Sequence, residues 1–103
     1  MAEEGFKRKL SAILSADVVG YSRLMDDNEE GTIRTLTNYR EVMGDLIQQH
    51  RGRVVDAIGD NLLAEFSSAV DAVNCAVAIQ RELAERNAEI SDGGRMEFRI
   101  GVN

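Results

Sequence analysis

The 103 residues predict an α+β domain in which helices cover one face of an antiparallel sheet. Three observations lead there. Apolar or alternating runs at residues 12–14, 53–58, 62–66 and 96–100 have strand character. Two longer stretches between them repeat apolar residues at helical spacing. Only Gly59-Asp60-Asn61 separates the second and third runs, which makes them a hairpin with a glycine–acid turn. The element order is therefore β-α-α-β-β-α-β, a split βαβ arrangement.

The chain is organised around residues 10–22. The apolar run from Ala12 to Leu14 reads as a buried strand leading into Ala16-Asp17, so a carboxylate is expected at the strand end. Gly20 permits a tight turn, and Tyr21 opens a short helix to Met25. Residues 1–8 read as a tail, with Lys7-Arg8-Lys9 as a solvated strand flank. Asp26-Asp27-Asn28 reads as a turn or N-cap cluster, and Glu29-Glu30 suit the first turn of a helix. Ile33, Leu36, Met43, Leu46 and Ile47 mark the apolar stripe of a long helix to about Gln49. His50-Arg51-Gly52 is its exit, with Gly52 expected as the C′ glycine. The only histidine, His50, reads as a cation complementing the helix dipole rather than as a catalytic base.

After the hairpin, Ser67-Ser68 caps the next helix. Its expected apolar face is Ala69, Ala72, Val73, Ala76, Val77, Ile79 and Leu83, alanine-rich enough to lie close to a sheet. Cys75 lies within this helix and reads as a small buried hydrophobe rather than a reactive thiol. Ser91-Asp-Gly-Gly94 is a loop before the last strand. The whole resembles a ferredoxin-like sheet, and the chain stops at Gly101-Val-Asn103, in or just beyond a strand. A strand with nothing after it is expected of a piece of a longer domain.

Composition excludes several function classes. With 44 % hydrophobic and 29 % charged residues, the chain has the make-up of an ordinary water-soluble domain. No apolar run approaches the roughly 18 residues of a membrane span, and the acidic start lacks the core of a signal peptide. A single cysteine allows no internal disulfide, so a cytoplasmic setting is expected. The net charge of −6 argues against a nucleic-acid surface, which depends on Lys and Arg to neutralise phosphates. A nucleotide bound with its own metal ions suits an acidic protein, because the metal supplies the positive charge.

Two acids stand at element ends, Asp17 after the first strand and Asp60 in the hairpin turn. In a split βαβ sheet these elements are neighbours, so both carboxylates can converge on one site. Read alone they are either unrelated turn residues or a pair whose mutual repulsion a divalent cation relieves. Carboxylates are hard oxygen ligands, and Mg²⁺ favours one or two of them completed by substrate phosphates. Backbone N–H groups at the helix start after Gly20 can receive phosphate oxygens.

Ala16-Asp17-Val18-Val19-Gly20-Tyr21-Ser22, then Gly59-Asp60-Asn61-Leu62-Leu63-Ala64-Glu65-Phe66, then Phe98-Arg-Ile-Gly-Val-Asn103, resembles the catalytic domain of class III nucleotidyl cyclases. The resemblance runs from about residue 10 to the end. It assigns residues 9–103 to the N-terminal half of that domain, with the C-terminal half absent. It implies two Mg²⁺ or Mn²⁺ ions held by Asp17, Asp60 and the backbone carbonyl of Val18. It also implies a nucleotide-binding turn at Val19, Gly20, Tyr21 and Ser22, with Gly59 beside it, and conversion of a nucleoside triphosphate into a 3′,5′-cyclic nucleotide and pyrophosphate. Family members are head-to-tail dimers with sites at the interface, so a homodimer is implied. Where adenylyl cyclases carry a base-reading lysine and guanylyl cyclases a glutamate, this chain has Asp56. That leaves ATP and GTP both open, ATP being favoured because adenylyl cyclases are the commoner bacterial members. Other catalytic residues of the family follow the point where this chain stops, so the piece alone is expected to be inactive. It is also expected to self-associate through its exposed sheet edge. The competing readings are another palm-like two-metal nucleotidyl transferase, and a cyclase-like module that binds nucleotide or a partner without turnover.

Overall fold

A computed structural model describes residues 11–90 and 94–103. The expected tail, Leu10, the Lys7-Arg8-Lys9 cluster and residues 91–93 of the last loop lie outside the described residues. The elements are β1 (Ala12–Val18), α1 (Tyr21–Asp27), α2 (Glu29–Gln49), β2 (Gly52–Ile58), β3 (Asn61–Phe66), α3 (Ala69–Ala88) and β4 (Phe98–Val102). They form the predicted order. All pairings are antiparallel and the sheet runs β2-β3-β1-β4, so the first strand is central and adjoins the hairpin.

Alternation along the strands divides the sheet into two faces. Ala12, Leu14, Ala16 and Val18 of β1 are buried, as are Leu62, Ala64 and Phe66 of β3. Against them α2 lays Leu36, Tyr39, Met43 and Ile47, and α3 lays Ala72, Cys75, Ile79 and Leu83. Tyr39 adds an aromatic contact to Phe98, with ring centroids 6.3 Å apart. The opposite face carries Ile13, Ser15 and Asp17 from β1, and no helix covers it among the described residues.

Local chemistry explains the boundaries. The Asn28 side chain accepts from the Gly31 N–H at 3.0 Å and starts α2, as the acid-rich cluster suggests. Asp26 and Asp27 extend α1 two residues past the expected end instead of forming a turn. Ser68 caps α3 through the Asp71 N–H. His50 ends α2 with its Nδ1–H donated to the Leu46 carbonyl at 2.8 Å.

Four expectations need correction. The left-handed residue after α2 is Arg51 (φ 67°) and not Gly52. Gly52 instead opens β2 with the Phe66 ring lying against its Cα, where any Cβ would collide. On α2, Ile33 is exposed and Tyr39 takes the core position, its hydroxyl reaching Asn87 Oδ1 at 2.7 Å. On α3, Ala69, Val73 and Val77 face outward because the helix turns the Cys75 row onto the sheet. The last strand starts at Phe98 and not at Met96. Asn87 holds Met96 just ahead of it, donating to the Met96 carbonyl and accepting from the Met96 N–H.

Candidate active site

The site forms where β1 ends beside the hairpin turn. Asp17 is the last open-face residue of β1, one short of the strand end, directly opposite Arg99 of β4. Arg99 Nε donates to Asp17 Oδ1 at 3.0 Å. Both side chains are well exposed, so this pair stabilises by about 0–1 kcal/mol and leaves the carboxylate available.

Asp60 occupies the second position of a two-residue turn. Gly59 precedes it at φ +60°, a conformation that a side chain would strain. The turn aims Asp60 back at β1, where Oδ2 accepts from the Val18 N–H at 3.0 Å. That bond places the second carboxylate next to the residue after Asp17, at the same end of β1. From α2, Arg40 Nη2 donates to the carbonyls on both sides of Asp60, those of Gly59 and Asn61.

Beyond β1 the chain turns sharply at Gly20 (φ 68°, ψ 35°), the N-cap of α1. No side chain caps α1, so Tyr21 and Ser22 start the helix with first-turn N–H groups free of a side-chain acceptor. Val19 differs: its N–H is committed to the Glu97 carbonyl at 2.8 Å. Among the turn residues, donors for an anion therefore come from the helix start.

Asp56 reaches the same open face through an irregularity. Val54 pairs with Ala64 and Asp56 with Leu63, so Val55 is a β-bulge. Strict alternation from Val54 would turn Asp56 to the helix side. The bulge returns it to the open face, in one row with Leu63, Ser15 and Gly101. At about 4.8 Å per strand, Asp56 stands about 10 Å across the sheet from Ser15. It shares the face with Asp17 without touching it.

The donor set suits a hard cation. Among the described residues no group of three or more His, Cys, Asp or Glu gathers anywhere, which leaves two carboxylates and the Val18 carbonyl at this place. Each aspartate has one oxygen engaged, and the other has no hydrogen-bond partner among the described residues. Two free carboxylate oxygens match an ion that completes its shell with phosphates and water. Arg40, Arg99 and the bulge were not expected from the sequence. Arg99 could have been found from its place opposite Asp17, but only once the β1–β4 register was known.

Known proteins resemble the chain closely. It is 45 % identical over 104 residues to "Putative adenylate cyclase 3" of Rhizobium meliloti (strain 1021), a match covering the whole chain and 18 % of that protein. A solved adenylate/guanylate cyclase/hydrolase from Silicibacter pomeroyi superposes with a TM-score of 0.83 at 40 % identity, over 94 % of this chain and 57 % of that one. The guanylyl cyclase Cya2 superposes with a TM-score of 0.78 at 30 % identity, over 90 % and 52 % of the two chains. No family model matches. The chain thus spans about half of the solved structures and a fifth of the curated relative. The antiparallel sheet with its helix layer is the α+β fold of the cyclase domains that it matches. In sequence and fold the chain is similar to about half of a class III adenylate/guanylate cyclase domain.

Proposed function

We propose that this chain is the metal-binding half of a nucleotidyl cyclase site that converts ATP or GTP into its 3′,5′-cyclic nucleotide and pyrophosphate. The observation that supports the reading is the Asp60 Oδ2 to Val18 N–H bond, which sets Asp60 beside the end of the strand that carries Asp17. Asp17, Asp60 and the Val18 carbonyl would hold two Mg²⁺ or Mn²⁺ ions. When bound, such ions lower the pKa of the ribose 3′-hydroxyl and neutralise the triphosphate.

The chain's own residues do the positioning. The backbone at Gly20, Tyr21 and Ser22 receives phosphate oxygens at the start of α1, with Gly59 leaving room beside Asp60. Asp56, displaced by the bulge, faces the base from across the sheet, and as an acceptor-only carboxylate it suits the amino and imino donors of guanine. Relatives with both adenylate and guanylate cyclase names keep ATP and GTP in play. The uncovered sheet face, with Ile13 and Ile58 exposed on it, suits a second copy that completes the site as a homodimer. No described helix is long and apolar enough to cross a membrane, which is compatible with a cytoplasmic enzyme.

The test is cyclic-nucleotide formation by the full-length protein from ATP and from GTP, with Mn²⁺ or Mg²⁺. Turnover is expected, and Asp60→Ala is expected to lower it by a factor on the order of 10⁴. No turnover with either nucleotide by a folded dimer would favour a non-catalytic module that binds nucleotide or a partner.

A further inference from the structure

The tip of an edge hairpin is a poor place to hold a ligand still. β2 is the outer strand of the sheet and is exposed along nearly its whole length, so packing does little to fix the Gly59-Asp60 turn. One side chain from another element ties it down. Arg40 leaves α2 toward the hairpin, and its Nη2 donates to the Gly59 carbonyl and, at 3.4 Å, to the Asn61 carbonyl. Those two groups flank Asp60. The Arg40 Nε is buried without a hydrogen-bond partner among the described residues. A buried donor left unpaired is costly, so the side chain is committed to this path for what its far end reaches. With the turn held, Asp60 presents Oδ2 to the Val18 N–H.

We propose that Arg40 is the positioning residue for Asp60, clamping the backbone on either side of it and so setting the divalent-cation affinity of the aspartate pair. This rests on the two-carboxylate reading above. Arg40 acts through the turn alone, since its recorded bonds go to backbone carbonyls and to neither aspartate side chain. Supporting groups of this kind commonly change metal affinity by about 10- to 100-fold.

The experiment measures Mn²⁺ binding to the full-length protein by the loss of the free-ion EPR signal, without nucleotide so that no triphosphate competes for the ion. Arg40→Met keeps the buried stem and removes every donor, and it should weaken Mn²⁺ binding about tenfold. Arg40→Lys returns an ammonium donor and should recover part of that loss; it also carries the test if the methionine variant fails to fold, with binding expected a few-fold weaker than wild type. A purely structural role would lower the melting temperature and leave the Mn²⁺ affinity of the folded protein unchanged, and that result overturns the proposal. Asp60→Ala separates the two levels of the argument. If it binds Mn²⁺ as tightly as wild type, the site reading fails and Arg40's role fails with it. If it loses binding while both Arg40 variants keep full affinity, only the role of Arg40 is overturned.

Discussion

The two faces of the sheet are built from the same strands and do opposite work. On the helix-covered face Leu14, Ala16, Ala64, Cys75, Ile79, Met43 and Ile47 are completely buried. On the other, Asp17 stands half-exposed one residue from Ala16, and Asp56 and Arg99 stand in solvent. A strand alternates by geometry, so each core residue brings an outward neighbour whose identity stability does not dictate. The fold spends that freedom on charge. Asp17 stands on a rigid central strand because its other side is locked into the core.

The contrast can be broken by substitution. Leu14→Ala should cost about 2–5 kcal/mol, because a fully buried leucine leaves a cavity beneath two helices. Its neighbour Ile13, 37 % exposed, should cost less than about 1 kcal/mol when changed to alanine. Urea unfolding of both variants measures the difference. Equal penalties would mean that a second surface covers the open face and would redraw the comparison.

A smaller effect sharpens the same point through pH. Burial pushes the Cys75 thiol from the ordinary 9.0 up to about 11, and it pushes the Tyr39 hydroxyl upward as well. The folded state therefore keeps protons that the unfolded chain releases. Their contribution to stability is complete below about pH 9 and is lost as pH rises toward about 11. Between pH 8 and pH 10.5 the wild type should lose more stability than Cys75→Ala, as read from urea midpoints. Equal losses would show that the thiol is not isolated from water.

Much of this was legible before any coordinates. The split βαβ order makes β1 and the hairpin neighbours, so the place of Asp60 beside the end of β1 followed from topology. The Asn28 cap and the buried Cys75 followed from local chemistry. What escaped depends on geometry between elements. A helical wheel cannot choose between Val73 and Cys75, since three adjacent rows are all apolar and the sheet decides which one faces it. Gly52 looked like a helix terminator, yet the Phe66 ring, 14 residues on, is what requires it. The bulge at Val55 carries no residue signature, and it alone puts Asp56 on the open face. Arg40 lies outside any motif because it acts on backbone carbonyls about 20 residues away.

The central claim is that Asp17 and Asp60 form one site. The most direct measurement is a double-mutant cycle on cyclic-nucleotide formation by the full-length protein, using Asp17→Asn, Asp60→Asn and the pair. If the two carboxylates act as a unit, either single change should cost nearly as much as both together. Losses that multiply would mean two independent residues, and would contradict the account.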